Sequence, residues 1–420
     1  MNRIVTCFLA LLAAVVALAQ HAVVSGTVSD ATTGQAVAGA SVSAGRLSVV
    51  TNADGFFTLK TDGTSPSLIV SHVGYQPQTL SISTPDSQGG DKVRPLRVWL
   101  KPATIQLSEV LVMSDNAREL MLKAIGRIPR NYSQRAELFR CFYRETAMKR
   151  QHYICVAEGV VDMYKTGYQH DTRRDRVAIS KGRRLLSPKK SDTLSVKVLG
   201  GPVAPVVLDV VKNTGFLLNA EELDCYDLKL EVPTSIGGRS QWVVSIAPRR
   251  TKEYALYYGR FYIDQQTLAF TRAELSLDMS NREKATRLML VRKPAGVRFK
   301  PKELSLLVDY SLDDDGLTRI SYVRSTFRFN CDWKRRIFAT SFTAYCEMVV
   351  TDKPGPNPSP EGTGSVAEPQ PISGRDSFDQ HDAFFDKVDY FRDPAFWQDY
   401  NIIEPTESLD KAVNRLLKKY

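Results

Sequence analysis

The sequence predicts a mainly β protein of the α+β type, in which a small β-sandwich precedes a larger antiparallel sheet. Residues 24–100 carry short runs of alternating apolar and polar residues, interrupted every few residues by turn-forming residues. A longer series of alternating runs fills most of residues 226–350. Helical spacing of apolar residues is clearest at 116–128 and 407–419, so helices are few.

The N-terminus is typical of a signal peptide. Arg3 provides the positive start and the run Ile4–Leu18 is apolar, with small residues at its end that suit signal-peptidase cleavage. The run is too short for a comfortable membrane span, although a retained anchor is the alternative. Cys7 lies inside the run, which disfavours a lipoprotein modification. We predict a signal peptide over residues 1–19 and an exported mature chain that begins near Gln20.

Residues 20–112 form the predicted first domain. Between its alternating runs, Asp54-Gly55 suits a tight hairpin because glycine accepts positive φ and aspartate tolerates the left-handed region. Calcium binding by Asp30, Asp54 and Asp62 at one end of the sandwich is the alternative. No stretch carries the alternating oxygen ligands of a calcium loop, so turn formation is the preferred interpretation.

Several motifs of this region resemble the carboxypeptidase regulatory-like domain. They are Gly26-Thr-Val-Ser-Asp30, Gly39-Ala-Ser-Val42, Thr51-Asn-Ala-Asp-Gly55-Phe-Phe57 and Ser71-His-Val-Gly-Tyr75. The resemblance implies a transthyretin-like, seven-stranded sandwich that acts as a non-catalytic accessory module. The segment Leu107–Val112 resembles the one that follows this domain in many Gram-negative envelope proteins, including TonB-dependent transporters. This implies an exported protein of the periplasm or the outer membrane.

Residues 113–352 form a predicted β-rich domain that begins with a helix over Asn116–Ile128. Two antiparallel strands, Leu138–Met148 and His152–Tyr164, follow it, and Val203–Lys212 is a short apolar helix or loop. The remaining runs predict a meandering antiparallel sheet. They are Tyr226–Val232, Gln241–Ala247, Tyr254–Ile263, Thr267–Met279, Thr286–Arg292, Val297–Tyr310, Leu317–Phe329 and Ile337–Val350.

One strand–turn–strand step, Gly259–Thr267, resembles that of envelope lipoprotein carriers. Those proteins fold an antiparallel sheet into a half-barrel around an apolar cavity, so the resemblance implies a cavity here; an ordinary hairpin is the alternative. Inward-facing apolar residues would line such a cavity or fill a closed core. They are Leu275, Leu277, Leu288, Leu290, Leu304, Leu306 and Val308.

The C-terminal region divides into a linker and a tail. Residues 353–375 are rich in Pro, Gly and Ser and are predicted to be a flexible linker. Residues 376–420 carry an aromatic stretch and a helix that Thr406 or Ser408 can cap. We expect the aromatic stretch to dock back on the sheet as a strap, with a partner-binding arm as the alternative.

The chain is 43% apolar and 24% charged, as in ordinary globular proteins, and carries a formal charge of +10. The excess positive charge is local. It lies in Arg173, Arg174, Arg176, Lys181, Arg183, Arg184, Lys189 and Lys190. For an exported protein, anionic lipid or polysaccharide is a more natural partner than nucleic acid, which we do not expect. A solvated loop or a charge-guarded edge strand is the preferred interpretation. No later stretch is apolar enough for a transmembrane helix.

Five cysteines follow the predicted signal peptide, at Cys141, Cys155, Cys225, Cys331 and Cys346. Their spacing matches no zinc motif, and an odd number leaves at least one unpaired. Cys141 with Cys155, or Cys331 with Cys346, could form a disulfide in an oxidising compartment, and buried free thiols are equally compatible with the sequence.

Catalytic motifs are missing from the sequence. No HExxH arrangement, G-x-S-x-G elbow or phosphate-binding loop occurs, and His152 and Cys155 on one strand should face opposite sides. We therefore predict no catalytic residues, no metal site and no cofactor. The leading hypothesis is a non-enzymatic envelope protein that contacts envelope proteins or outer-membrane components. The alternative is a carrier or binding protein for a lipid or another apolar ligand, and an enzyme with dispersed catalytic residues is the third hypothesis.

Overall fold

The computed structural model describes residues 22–63, 65–82, 95–103, 117–189, 196–213, 215–333, 339–354, 368–379, 382–390, 393 and 395–418. The predicted signal peptide, the segment Leu107–Val112 and most of the predicted linker lie outside these residues. Within the described ranges the protein is mainly β, as the sequence predicts, with a small N-terminal sheet, a large antiparallel sheet and few helices.

Seven strands form the N-terminal β-sandwich. They are β1 (Ala22–Asp30), β2 (Ser41–Ala44), β3 (Leu47–Val50), β4 (Phe56–Thr61), β5 (Ser67–Ser71), β6 (Gln78–Ser81) and β7 (Leu96–Leu100). One sheet has the order β4-β1-β7, in which β1 and β7 are parallel, and the other has the order β3-β2-β5-β6. Alternate residues, among them Val28, Leu59 and Val70, fill the core between the sheets.

The large sheet is antiparallel, and its neighbouring strands are consecutive in the sequence of long strands except at one point. In spatial order its strands are β12 (Tyr226–Ile236), β13 (Arg239–Pro248), β14 (Tyr257–Asp264), β15 (Phe270–Leu277), β17 (Val297–Leu312), β18 (Thr318–Trp333), β19 (Thr340–Asp352), β8 (Glu137–Lys149), β9 (His152–Lys165) and β10 (Arg176–Leu186). The first hairpin, β8–β9, therefore lies beside the last long strand, and Cys141 pairs with Val350.

The sandwich is attached to the large sheet at strand β3. Leu47 pairs with Asp352 at the end of β19, and the Ser48 hydroxyl donates a hydrogen bond of 2.6 Å to the Val350 carbonyl. Arg46 forms an ion pair of 2.8 Å with Asp352. The two domains therefore share backbone pairing as well as side-chain contacts.

Six α-helices, two 3₁₀ turns (Thr172–Arg174 and Phe384–Asp386) and three short strands complete the described elements. The helices are α1 (Ala117–Gly126), α2 (Ile128–Asn131), α3 (Ala204–Val207), α4 (Ala220–Leu223), α5 (Arg282–Met289) and α6 (Glu407–Leu417). The strands are β11 (Lys197–Val198), which pairs with β16 (Leu290–Arg292), and β20 (Asp389–Tyr390), which pairs with β10. Helix α6 is capped by the Thr406 hydroxyl, which accepts a hydrogen bond of 3.1 Å from the amide of Leu409.

The predicted strand over Thr286–Arg292 is wrong. Residues 282–289 form helix α5, and only Leu290–Arg292 is extended, outside the large sheet. The Asn281 side chain accepts hydrogen bonds from two amides of the first turn, which caps the helix. Ala285 and Met289, four residues apart, bury the same face of the helix in the core.

The main core lies between the large sheet and helices α1–α5, and it contains the residues that the sequence assigned to a cavity or a closed core. Leu275, Leu277, Leu304, Leu306 and Val308 are at most 5% exposed, and Leu288 and Leu290 pack against the same cluster. The helices cover this face of the sheet, so these side chains fill a packed interior.

A buried cluster of charges lies at one edge of this core. Lys165 contacts Asp209 at 2.8 Å, and Lys212 contacts Asp175 at 2.6 Å, with all four side chains at most 2% exposed. The hydroxyls of Tyr168 and Tyr310 donate further hydrogen bonds to Asp209, at 2.9 and 2.8 Å. Paired charges and several hydrogen bonds offset the desolvation of these groups.

The predicted turns of the sandwich use aspartate as an acceptor. The Asp30 carboxylate accepts hydrogen bonds of 2.7 Å from the amides of Thr32 and Thr33 and from the Tyr75 hydroxyl. Asp54 accepts a hydrogen bond of 2.8 Å from the Glu407 amide. The Asp30 contacts support the turn interpretation, whereas Asp54 binds the first residue of helix α6 and its own turn is closed by the Asn52 side chain, which accepts hydrogen bonds from the amides of Asp54 and Phe56. In the described part of the chain no group of three His, Cys, Asp or Glu residues is placed to hold a metal. The described helices include none long and apolar enough to cross a membrane.

Candidate ligand-binding site

Strands β8, β9 and β19 form the floor of a cleft with a volume of about 370 Å³. Ala147 lies between Ala344 on one neighbouring strand and Cys155 on the other. Two residues earlier on the same face, Glu145 lies opposite Cys346. Because four of these five side chains are small, the sheet leaves space here that aromatic and branched residues fill elsewhere in the core.

Two segments from distant parts of the chain form the walls of the apolar cleft. One is the stretch 196–201, held by the pairing of β11 with β16, and the other is the 3₁₀ turn Phe384–Asp386. The ring of Phe384 packs edge-on against Tyr143, with centroids 5.1 Å apart. The ammonium group of Lys197 donates a hydrogen bond of 2.6 Å to the Asp382 carbonyl, which ties the two walls together.

Glu145 is the polar group on the floor of the cleft. Burial raises the pKa of its carboxyl to about 7, and the opposing effects of the Tyr143 hydroxyl and the Gly201 amide are smaller. The Tyr143 hydroxyl donates its hydrogen bond at 3.0 Å. Near neutral pH this carboxyl is therefore populated in both protonation states, so it can donate or accept a hydrogen bond to a ligand.

Two cations line the same cleft, opposite Glu145. Lys197 and Arg292 are neighbours across the β11–β16 pair. Burial, followed by repulsion from Arg292, lowers the pKa of Lys197. The site thus combines an apolar interior with a small number of polar groups, and its volume lies within the range of about 300–1,000 Å³ typical of small-molecule sites.

All five cysteines of the described residues are buried free thiols. Neither disulfide that the sequence allowed is present, because Cys141 faces Val161, Cys155 faces Ala147, Cys331 faces Thr340 and Cys346 faces Ser325. Burial raises the pKa of Cys346 to about 12 and also raises the pKa of Cys155, so both thiols in the cleft floor stay protonated. His152 is exposed whereas Cys155 is buried.

A basic groove of about 680 Å³ adjoins the apolar cleft. It lies between the β8–β9 turn and helix α6, and its cationic or titratable side chains are Lys149, Arg150, His152, Lys189, Lys411 and Arg415. The residues lining it include no aspartate or glutamate. Ile154 and Ser187, joined by a backbone hydrogen bond of 2.8 Å, line both cavities. The cleft lies on the face of the sheet that carries Ala147 and Cys155, whereas the groove lies beside helix α6, which packs on the other face against Val156.

The predicted basic segment does not form one free anionic-ligand surface. Its central part is strand β10, at the edge of the sheet, where Arg183 forms an ion pair of 2.9 Å with Glu158. Lys181 lies 4.3 Å from the ring centroid of Phe396, and Arg184 donates a hydrogen bond to the Phe385 carbonyl. Much of this charge therefore holds C-terminal residues in place.

Residues 24–112 match the family of the CarboxypepD_reg-like domain. The chain contains a CarboxypepD_reg-like domain. The match agrees with the seven-stranded sandwich of the structure and with the motifs between Gly26 and Tyr75. No curated protein matches the sequence.

Among solved structures, a DUF1329 family protein from Desulfovibrio piger is 11% identical, with a TM-score of 0.25, and the match covers 55% of this chain and 92% of that one. A LolA superfamily protein from Nitrosomonas europaea is also 11% identical, with a TM-score of 0.19 and coverage of 55% and 94%. MucB, in its complex with MucA, is 13% identical with a TM-score of 0.17, and the match covers 54% of this chain and 92% of MucB.

An aromatic strap, residues 395–405, connects the CarboxypepD_reg-like domain to the large sheet. The Lys60 ammonium group donates a hydrogen bond of 2.8 Å to the Trp397 carbonyl, and the Lys60 amide donates one of 2.7 Å to the Asn401 side chain. On the other side, the Trp397 ring packs edge-on against Phe142 of β8 at 5.5 Å. The strap docks intramolecularly, as expected from its sequence.

The cleft residues were not among the candidates that the sequence supplied. Glu145 is a single acid in an alternating strand, where a solvent-facing position explains it equally well, and Phe384 and Phe385 were assigned only to an aromatic tail. A pattern of small residues, Ala147 on β8 and Ala344 on β19, was the available signal. It becomes informative only once the pairing of β8 with β19 is known.

Proposed function

We propose that this protein is a non-enzymatic binding protein of the cell envelope that holds a lipid or another apolar ligand in the cleft over β8, β9 and β19. The observation that carries the proposal is the composition of the cleft. Its floor is built from small residues, its walls include Phe384 and Phe385, and the partly buried carboxyl of Glu145 is available for a polar group.

Export and an envelope location are part of this proposal. They are supported by the predicted signal peptide at residues 1–19 and by the presence of a CarboxypepD_reg-like domain. The sequence motifs of this domain resemble those of accessory modules in envelope proteins. Under the proposal the protein resides in the periplasm or at the outer membrane of a Gram-negative envelope. The large domain binds the ligand and the sandwich is an accessory module.

Native mass spectrometry of the mature protein, purified from an envelope without harsh detergent, tests the proposal. We expect a stoichiometric adduct of lipid mass. Ala344→Phe should abolish the adduct because the new ring fills the floor of the cleft. Thr343→Phe is the matched control, since it places the same ring on the other face of β19. A bare polypeptide mass from folded wild-type protein would contradict the proposal.

A second candidate function, an interaction module for envelope proteins, is favoured by the exposed surface of the sandwich. Trp99 is 48% exposed on β7, and no described strand pairs with the outer edge of β7, where the Trp99 carbonyl accepts a hydrogen bond of 2.6 Å from the Gln78 side chain. An exposed aromatic residue beside an unpaired edge suits strand addition by a partner. A photo-crosslinking residue in place of Trp99 should give a discrete adduct in the envelope, whereas the same residue in place of Tyr258, which is also 48% exposed but lies on β14 between β13 and β15, should not. Equal crosslinking at both positions would contradict this function.

A further inference from the structure

A polar space of about 450 Å³, the interdomain cavity, separates the sandwich from the large sheet. One wall is the outer face of strands β2, β5 and β6, whose inner face fills the core of the sandwich. The other wall is the face of the large sheet that points away from helices α1–α5. The interdomain cavity and the apolar cleft therefore lie on opposite faces of the large sheet, since Ala344 and Cys346 of the cleft belong to the main core.

Backbone pairing closes the interdomain cavity on two sides. On one side, Leu47 of β3 pairs with Asp352 at the end of β19. On the other, the amide of Gly74 donates a hydrogen bond of 2.7 Å to the carbonyl of Ser235 on β12, at the opposite edge of the large sheet. The two walls are therefore held in place without a ligand, which lowers the entropy cost of binding one.

The sandwich wall of the interdomain cavity carries a group of hydroxyls. They belong to Ser41, Ser43, Ser71 and Thr79, which alternate along their strands with residues of the sandwich core. In the described part of the chain, no hydrogen bond engages these four hydroxyls. Each can donate one hydrogen bond and accept two. Ile69, which is 45% exposed, lies among them and adds an apolar surface.

The charged side chains of the opposite wall are all engaged in ion pairs. The pairs are Arg239 with Asp264 at 2.6 Å, Arg272 with Asp309 at 3.0 Å, and Lys353 with Asp313. Burial, followed by repulsion from Arg272, lowers the pKa of His72 to about 4, so this ring is uncharged near neutral pH. An ion that entered the cavity would lose water without gaining an unpaired counter-charge, so the lining favours an uncharged ligand.

We infer that the interdomain cavity binds a neutral saccharide. The hydroxyls of a sugar donate and accept hydrogen bonds, as the serine and threonine hydroxyls of the wall require, and the apolar face of a sugar ring can contact Ile69. Sheets that pack face to face ordinarily fill the space between them with apolar side chains, whereas short hydroxyl side chains leave it open here. The volume suits a small molecule.

An array of neutral and anionic oligosaccharides, incubated with the mature protein, tests the inference. We expect binding to neutral oligosaccharides. The neutral oligosaccharide that gives the strongest signal is then titrated calorimetrically into the wild type and the variants, so that affinities are compared in solution.

Ser41→Ala with Ser71→Ala should weaken this affinity about ten-fold, because two hydroxyls that pair across β2 and β5 are lost from the wall. Ser67→Ala with Ser81→Ala is the matched control and should leave the affinity unchanged. These serines pair across β5 and β6 on the same face of the sheet, outside the cavity lining. Melting temperatures of both double variants should equal that of the wild type, because none of the four side chains is buried.

Ser71→Phe should abolish binding, because the ring fills the cavity, whereas Ser67→Phe places the same ring outside it and should not. Folded wild-type protein that binds no neutral oligosaccharide would overturn the inference. Binding confined to anionic oligosaccharides would identify a charged ligand and would also overturn it. Equal affinities of the two alanine double variants would place the saccharide elsewhere. These outcomes leave the proposed function standing, since the mass of a bound lipid decides that proposal separately.

Discussion

The indole nitrogen of Trp397 donates a hydrogen bond of 3.0 Å to the carboxylate of Glu158, 239 residues earlier in the chain. The same carboxylate accepts hydrogen bonds from Arg144 at 2.7 Å and Arg183 at 2.9 Å. Burial disfavours the charged form of Glu158, but the two guanidinium groups outweigh it and hold the pKa below its usual value. The strap thus docks on a carboxylate whose charge is balanced by two arginines of the sheet, Arg144 and Arg183.

Glu158→Gln should destabilise the protein by about 3–5 kcal/mol, because Arg144 and Arg183 would remain buried without their shared carboxylate. Urea unfolding measures the effect. Glu283→Gln, which breaks an exposed helical pair with Arg287, is the control and should change the free energy of unfolding by less than about 0.5 kcal/mol. A similar result for both variants would show that the buried network contributes little.

Asp209→Asn should be destabilising by a similar amount, about 3–5 kcal/mol, because it leaves Lys165 buried beside a neutral amide. Asp224→Asn offers the comparison, since its pair with Arg118 is exposed. We expect the two variants to differ clearly in the midpoint of urea unfolding. Indistinguishable midpoints would contradict a structural role for the buried charge cluster.

Stability should depend on the protonation of Glu145. Its folded pKa, about 7, lies above its ordinary value of 4.5, so the folded protein binds this proton more tightly than the unfolded chain does. The stabilisation is fully present below pH 4.5 and is lost as pH rises toward 7, amounting to about 1–3 kcal/mol. Unfolding free energies of the wild type and Glu145→Gln, measured across this window, should converge at low pH and diverge above it. Parallel curves would refute the assignment.

The strained turn at Arg150 and Gln151 should be improvable by substitution. Gln151→Gly should raise the free energy of unfolding by about 1 kcal/mol, because glycine accepts the observed φ of 68°. Urea unfolding measures the effect. Gln151→Ala, which keeps a Cβ atom, is the control and should not stabilise the protein. An equal gain from both variants would contradict strain in the backbone of this turn.

The sandwich and the long hairpins were predictable because their signals are local. Alternation with period two, together with Asp54-Gly55 and the turn at 313–316, specifies strands and turns within a few residues. The prediction of a strand over Thr286–Arg292 failed because its apolar residues fit both the two-residue period of a strand and the 3.6-residue period of a helix. The feature that distinguishes the helix is the cap at Asn281. The local sequence pattern therefore predicts most strands and helices correctly, and it fails where a short apolar run fits both a strand and a helix.

The cleft was not predictable because its parts are joined by non-local pairing. Ala147 and Ala344 become neighbours only when β8 pairs with β19, and Phe384 reaches them through a segment whose path the sequence does not indicate. The leucines that the sequence allowed either to line a cavity or to fill a closed core lie in the core under helices α1–α5, whose docking face the sequence did not reveal. The basic segment is visible in the sequence, but only the structure shows that two of its cations, Lys181 and Arg183, lie over the Phe396 and Trp397 rings of the strap.

The placement of β19 between β18 and β8 has a consequence for how the chain reaches its native state. One partner of β19 precedes it directly, whereas the hydrogen bond from Thr351 to Arg140 spans 211 residues. Pairing across such a distance carries a large loop-closure entropy, so acquisition of the complete sheet should be slow compared with that of its local hairpins. Until Asp352 has been synthesised, the edges of β8 and β18 lack their common partner and are open to association with other chains.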